Sequence, residues 1–437
     1  MDSSLSRRGM LATAGLGAVA TAAAVMPRTA AAAPRTPSGR SPSDKVRTGA
    51  DVAAAAEWEV FAGRRIGIIT NPTGIVEDTL ATIVDAMHAS GKVDIGAVFG
   101  PEHGFRGSAQ AGESEGTTVD ERTGITVYDA YGADADAFAG FFEESGIDTV
   151  VFDIQDVGAR FYTYIWTMYE AMIAAIRTDR SFMVLDRPNP TGGTARGPML
   201  REGFSSGVGK DRILLAHGMT AGEVARYFNG ELMPTAAGGS LAEVEVVEME
   251  GWDPDSVFAD TGLTWVMPSP NMPTPDTAVL YYGTGLFEAV NLSEGRGTTR
   301  PFELMGAPYA DHRWAAELNQ RDLAGVEFRE AYFNPTFSKW QGEVCAGVQV
   351  HLTDPRALNS LEVATHMITA ARDLYDDFGW RDLDGDQPGR WIGLLTGSQR
   401  FQQLCEAGAS AEQLIRVWRA DERSFDRLRR QYLIYPR

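Results

Sequence analysis

Residues Asp148–Gly158 read "DTVVFDIQDVG". The apolar run is short, β-branched and aromatic, and it passes directly into an acidic loop closed by glycine. That pattern predicts a buried strand ending in a polar turn. Tyr162–Arg177, "YTYIWTMYEAMIAAIR", repeats apolar residues at helical spacing. Ser181–Gly193, "SFMVLDRPNPTGG", is again a strand running into a Pro/Gly loop. Strand, helix and strand at these intervals form a βαβ unit, which makes the strands parallel.

The same alternation extends upstream. "RRIGIITNPTG" (Arg64–Gly74), "VDIGAVFG" (Val93–Gly100) and "ITVYDAYG" (Ile125–Gly132) read as strands. "TLATIVDAMHASG" (Thr79–Gly91) and "DADAFAGFFEESG" (Asp134–Gly146) read as helices with glycine stops. "TAGEVARYFNGEL" (Thr220–Leu232) begins with Thr220 and Glu223 in capping-box spacing. The expected fold is α/β, with a Rossmann-like, mostly parallel sheet in an N-terminal domain over 51–238 and a smaller α+β domain over 239–437. In the second half, "LAEVEVVEMEGW" (Leu241–Trp252) and "VCAGVQVHLTD" (Val344–Asp354) read as strands, and "LNSLEVATHMITAARDLY" (Leu358–Tyr375) as a helix. Trp265–Pro308 is rich in Pro and Gly and carries too little periodicity for a long helix.

The chain has 437 residues, a hydrophobic content of 44% and a formal net charge of −20. That length suits two domains, and the composition is that of a soluble globular protein. The acidity argues against nucleic acid or an anionic membrane as main partner, though a local arginine cluster can still hold an anionic small ligand. "SRRGMLATAGLGAVATAAAVMP" sets Arg7 and Arg8 before a weakly apolar run, followed by small residues. It reads as a twin-arginine signal peptide over 1–33, cleaved near Ala33, with a Pro/Ser-rich linker over 34–50. The mature protein is then expected in the periplasm, the cell wall or the extracellular space, without stable membrane insertion. Cys345 and Cys405 are the two cysteines, and they are open to pairing or to burial as free thiols. Histidines and cysteines show no metal-ligand spacing, and no nucleotide motif follows a strand, so neither metal nor cofactor is expected.

In open α/β sheets, ligands bind at the carboxyl ends of the strands. Polar signatures fall there repeatedly: Asn71, Glu102, Asp153 with Asp156, and Asp186 to Asn189. Val98–Gly107, "VFGPEHGFRG", joins Glu102, His103 and Arg106 in one loop. A half-buried carboxylic acid can protonate a leaving-group oxygen. His103 and Arg106 could orient it or hold a substrate carboxylate; the alternative is that Glu102 simply pairs with Arg106. Arg160 and Tyr162 follow Asp156, where the aromatics could stack on a sugar ring. Asn189, Asn271, Glu294, Arg296 and Arg300 add groups suited to carboxylates and amides. His217 precedes a helix start, as a cap neighbour or a ligand contact.

Taken together and in order, "NPTG", "FGPEHGFRGSAQAGE", "TVYDAYG", "VVFDIQDVGARFYTY", "LDRPNPTGG", "HGMTAGE", "MPSPNMPT" and "NLSEGRGTTRPFELMGAP" resemble the bacterial exo-β-N-acetylmuramidase family from about Gly63 onward. The resemblance implies an exo-acting glycoside hydrolase releasing N-acetylmuramic acid from the non-reducing end of peptidoglycan fragments, with its site in a cleft between two domains. It implies Glu102 as a catalytic residue. A second family carboxylate lies on the helix after "YTY". Ile173 occupies its usual place here, so Glu170, three residues earlier on the same face, is the nearest candidate, with Asp153, Asp156 and Glu294 as further ones. Arg160, Arg296 and Arg300 are candidates for the lactyl carboxylate, and Asn71, Asn189 and Asn271 for hydroxyl or amide contacts. Inversion, an enzyme nucleophile and participation of the 2-acetamido group all remain open. Other readings are an exported muropeptide-binding protein without turnover and a glycosidase for another amino sugar.

Overall fold

The computed structural model describes residues 45–107, 116–381 and 389–437. The expected signal peptide and most of the linker lie outside them. Seven strands form the main sheet: β1 (Arg65–Thr70), β2 (Asp94–Gly100), β3 (Thr118–Val119), β4 (Thr126–Asp129), β5 (Thr149–Asp153), β6 (Ser181–Leu185) and β7 (Val244–Val247). Their order is β7-β6-β5-β1-β2-β4-β3, and every pairing is parallel except that of β3 with β4.

Both faces of the sheet are covered, which explains the near-continuous apolar strands. Phe99, Val150 and Phe152 pack on one face against Phe138 and Phe142 of α1 (Ala135–Ser145) and against α2 (Tyr164–Arg177). Ile66, Ile68, Val98 and Val151 pack on the other with Ile83, Val84 and Met87. Each fully buried Ile, Val or Phe side chain is worth about 1.5–3 kcal/mol. α1 starts at Asp134, whose side chain accepts from the Ala137 amide, and stops at left-handed Gly146, as the sequence spacing implies.

Chain order reverses at β1. The chain leaves β1 towards β2 and β4 on one side, and returns to β5, β6 and β7 on the other. The crevice beyond β1 and β5 is therefore the topological switch point of the sheet. The sheet also continues past Gly239, because β7 pairs with β6.

Residues further along form a three-stranded antiparallel sheet from β8 (Leu304–Ala307), β9 (Val326–Phe333) and β10 (Cys345–Leu352), in the order β8-β10-β9. Helix α3 (Pro275–Thr284) lies within the stretch that shows no helical periodicity. Thr277 to Thr284 are all buried, so the helix has no polar face to reveal it. Its neighbour α4 (Ser360–Leu374) approaches so closely that a Cβ on Gly283 would sit 1.9 Å from the Ser360 carbonyl oxygen. Cys345 and Cys405 are buried free thiols.

The C-terminal residues fold back onto the first sheet. Arg429 donates to the carbonyls of Gly193, His217 and Gly218, and Arg437 to those of Gly193 and Gly218. Arg437 also pairs with Glu223, and the Glu223 carboxylate accepts from the amides of Ile434 and Tyr435. The Tyr435 hydroxyl donates to Asp186, which also accepts from the Thr220 hydroxyl and the Gly222 amide. Burial pushes the Asp186 carboxyl up to about 7 from its usual 3.8, against these donors. Below about pH 4 this carboxyl is protonated whether the chain is folded or unfolded, and its contribution to stability is fully present. As pH rises through about 7 that contribution is lost. Melting curves from pH 4 to 8 should show the wild type losing stability relative to Asp186→Asn as pH rises, with the difference levelling above pH 8.

Candidate active site

The loops after β1, β2 and β5 meet at the switch point. Asn71 follows β1 and is fully buried; its Oδ1 accepts from the Thr73 amide and hydroxyl. Glu102 and His103 follow β2 in a tight turn, where His103 has φ of +74°. That left-handed conformation is uncommon for a residue with a Cβ and is found mostly where the surroundings impose it. His103 is buried.

Glu102 is half-buried and accepts a 2.8 Å hydrogen bond from the Thr163 hydroxyl at the start of α2. It has no ion pair among the described residues. The Tyr164 hydroxyl donates to the Pro268 carbonyl and lies 3.4 Å from the Glu102 carbonyl oxygen. Burial, then the charge of Glu102, pushes the Tyr164 hydroxyl above its usual pKa, so it stays protonated.

An aromatic wall leads from Glu102 to the second part of the chain. Tyr164 meets Tyr162 edge-on at 5.1 Å, and Tyr162 meets Tyr281 of α3 at 5.7 Å. Tyr281 meets Phe302 at 4.6 Å, and the Arg296 guanidinium lies over Phe302 at 5.0 Å. Beyond the wall is a recess of about 510 Å³ lined by Asn271, Glu288, Glu294, Arg296, Phe337, Ser338 and Arg381. Arg296 pairs with Glu288 at 2.7 Å and with Glu294 at 3.4 Å. Burial works against its charge, but the two carboxylates outweigh it and hold the guanidinium above its usual pKa. Lys339 pairs with Glu294 at 2.7 Å while donating to the carbonyls of Phe287, Val290 and Leu292. Burial pushes the Lys339 ammonium below its usual range, against the pull of Glu294.

Asp156 lies beneath the wall. Its Oδ2 accepts from the Gly158 amide at 2.7 Å and lies 3.3 Å from His217 Nε2, while Oδ1 is buried without a partner among the described residues. The Met219 amide donates to His217 Nδ1, while Nε2, though near Asp156, makes no hydrogen bond among the described residues. Gly158 is needed here: its φ is +76°, and a Cβ would sit 2.5 Å from Asn189 Oδ1.

Several expected residues are committed elsewhere. Arg106 does not pair with Glu102 or face a ligand, because Asp85 and Asp120 hold its guanidinium at 2.9–3.0 Å. Asp153 is locked to Arg187 at 2.5 and 2.9 Å, with both side chains buried. Asn189 spends its oxygen on Thr191 and its amide on the Met219 carbonyl. Arg300 is exposed and pairs with Glu303 outside the recess. Arg160 points inward, fully buried, and donates to the carbonyls of Pro198, Ile213 and Leu395. Burial without a paired carboxylate pulls its pKa down to about 9. Glu170 accepts from the Ala135 amide and pairs with Lys210. It lies seven residues along α2 from Thr163, about 10 Å of helix, and points towards α1. Sequence reasoning missed Tyr281, Glu288, Lys339 and Arg381. Of these only Arg381 offered a signal, as a cation beside Trp380.

A larger groove of about 870 Å³ follows the C-terminal segment. Its Arg429, Arg437 and Asp426 are already paired or bonded to backbone, and it lies away from the loops of the switch point. Among the described residues no cluster of His, Cys, Asp and Glu could hold a metal ion.

A half-buried carboxyl at the switch point with no ion pair among the described residues, an aromatic wall and an arginine-lined recess fit a carbohydrate-active α/β enzyme. Comparison with known proteins specifies the class. Residues 66–276 match the family described as exo-β-N-acetylmuramidase NamZ, N-terminal, and residues 279–435 match its C-terminal counterpart. The peptidoglycan β-N-acetylmuramidase NamZ of Bacillus subtilis (strain 168) is 42% identical over 409 residues, which cover 93% of this chain and 95% of that one. Two crystal structures of DUF1343 family proteins from Bacteroides fragilis NCTC 9343 are similar. One has a TM-score of 0.79 and 32% identity over 90% of this chain and 100% of its own; the other has a TM-score of 0.68 and 28% identity over 89% and 99%. The chain belongs to the exo-β-N-acetylmuramidase NamZ family and is a glycoside hydrolase.

Two variants separate scaffold from chemistry. Arg160→Met leaves three buried carbonyls without their donor and should lower stability by about 3 kcal/mol or more in denaturant titrations. Glu170→Gln should keep at least half of wild-type turnover, with a stability loss of about 1 kcal/mol or less from a partly exposed pair.

Proposed function

We propose that this protein is an exo-acting β-N-acetylmuramidase that removes N-acetylmuramic acid from the non-reducing end of peptidoglycan fragments, with Glu102 as general acid. The observation that carries this reading is the state of Glu102. It is a half-buried carboxyl at the switch point, oriented by Thr163, free of any ion pair among the described residues, and joined by an aromatic wall to the arginine recess. It is supported by membership of a family described as exo-β-N-acetylmuramidases.

The chemistry follows from the substrate. The glycosidic oxygen is a poor leaving group until protonated, and Glu102 supplies that proton as the bond to the anomeric carbon breaks. Tyr162, Tyr164 and Tyr281 form a rigid, buried aromatic backing between Glu102 and the recess. The lactyl ether on O3 is what distinguishes muramic acid from glucosamine, and its carboxylate is anionic. Arg296 and Arg381 are the cations of the recess, so the lactyl group sits there. Glu288 and Glu294 partly offset the charge of Arg296 and so favour one anion of fixed geometry over anions in general. The twin-arginine leader read in the sequence at residues 1–33 supports export to the side of the cytoplasmic membrane where peptidoglycan lies.

Turnover of a chromogenic β-N-acetylmuramoside should fall by about 10²–10⁴-fold in Glu102→Gln with an unchanged melting curve. Full activity in that variant would falsify the role of Glu102. Arg381→Ala should raise KM for the muramoside by about tenfold or more while leaving weak cleavage of the matching glucosaminide unchanged, because only the muramoside loses a charge-assisted contact.

A further inference from the structure

Tyr281 belongs to none of the sequence motifs, yet its ring joins Tyr162, on the Glu102 side, to Phe302, over which Arg296 lies. Its ring is held edge-on by three aromatics: Phe161 at 5.2 Å, Tyr162 at 5.7 Å and Phe302 at 4.6 Å. Such pairs fix a ring in one orientation and add about 0.5–1.5 kcal/mol each beyond area burial. The ring belongs to α3, whose approach to α4 at Gly283 leaves no slack. The hydroxyl accepts and donates no hydrogen bond among the described residues. Unlike the Tyr162 hydroxyl, which is enclosed without a partner among the described residues, it is not walled in, so it is a donor held rigid and left open.

Its position relative to the substrate follows from the two ends of the wall. On one side, through Tyr162 and Tyr164, is the acid Glu102, which must face the glycosidic oxygen on C1. On the other, across Phe302, is Arg296, in the recess that takes the lactyl group on O3. The sugar carbon between C1 and C3 is C2, and C2 carries the acetamido group. Burial, then the charge of Glu288, raises the Tyr281 hydroxyl above its ordinary range, with Glu102 and Asp156 adding to the shift and Arg296 opposing it. The group is therefore a donor and not an anion at working pH. The strongest neutral acceptor on the sugar is the acetamido carbonyl.

We propose that the Tyr281 hydroxyl donates a hydrogen bond to the 2-acetamido carbonyl oxygen of the terminal muramoyl residue and selects for the N-acetyl group. The inference rests on the muramidase reading and adds the recognition of the second substituent that defines the sugar. A site built to donate to a substrate acceptor discriminates against analogues that lack it.

The test compares Tyr281→Phe, which keeps the ring and its packing, with wild type. Two competitive inhibitors are used: N-acetylmuramic acid and 3-O-lactylglucose, in which a hydroxyl replaces the acetamido group. Inhibition by N-acetylmuramic acid should weaken about tenfold in the variant, and inhibition by 3-O-lactylglucose should change less than twofold. A merely structural role would weaken both equally, and that result overturns the proposal, as does no change in either. If the wild type cleaves no β-N-acetylmuramoside, the functional reading itself fails and takes the inference with it; if it cleaves the muramoside and the two inhibitors respond alike, only the assignment of Tyr281 fails.

Discussion

The buried ion pair between Asp153 and Arg187 is the constraint on which the site depends. Both side chains are withdrawn from solvent at the ends of adjacent strands β5 and β6. Burial pushes the Asp153 carboxyl up, and only Arg187 opposes it, so neither charge is tolerable alone. The pair also ties down backbone. Arg187 reaches the Ile75 carbonyl in the loop after β1, and the Thr70 hydroxyl donates to the Asp153 carbonyl. Gln155 then bridges to Thr73 and to the Pro188 carbonyl. The loops after β1, β5 and β6 are thereby fixed to each other, and Asp156 is presented on a rigid edge.

Charge is handled locally, against a global balance of −20. Most cations near the cleft are occupied: Arg106 by two aspartates, Arg187 by Asp153, Lys339 by Glu294 and three carbonyls. Among the described residues Arg296, itself paired with Glu288 and Glu294, and Arg381 are the cations that line the recess. An acidic protein can thus receive an anionic sugar, because over a few ångströms paired geometry outweighs the summed field.

The sheet was legible because buried parallel strands are apolar throughout and their carboxyl-end loops are abruptly polar. That contrast is what put Asn71, Glu102 and Asp156 among the candidates, and the structure sets all three in loops at the switch point. The inward turn of Arg160 was not legible, since a guanidinium that serves three backbone carbonyls looks the same in sequence as one that binds a ligand. Helix α3 was hidden for the opposite reason. It is buried on every side, so it shows no amphipathic period, and Tyr281 went unnoticed with it. Glu170 shows the limit of motif reasoning: its spacing on α2 is plausible, but Lys210 and the first turn of α1 take up its oxygens.

The return of residues 429–437 to the first sheet means that the two halves matched by separate family models are not separable bodies. Arg429 and Arg437 hold the carbonyls of His217 and Gly218, and His217 in turn faces Asp156. The loop behind the aromatic wall is therefore finished by chain made more than 200 residues later. The wall of the cleft is therefore completed only where residues 193–223 and 429–437 are packed together.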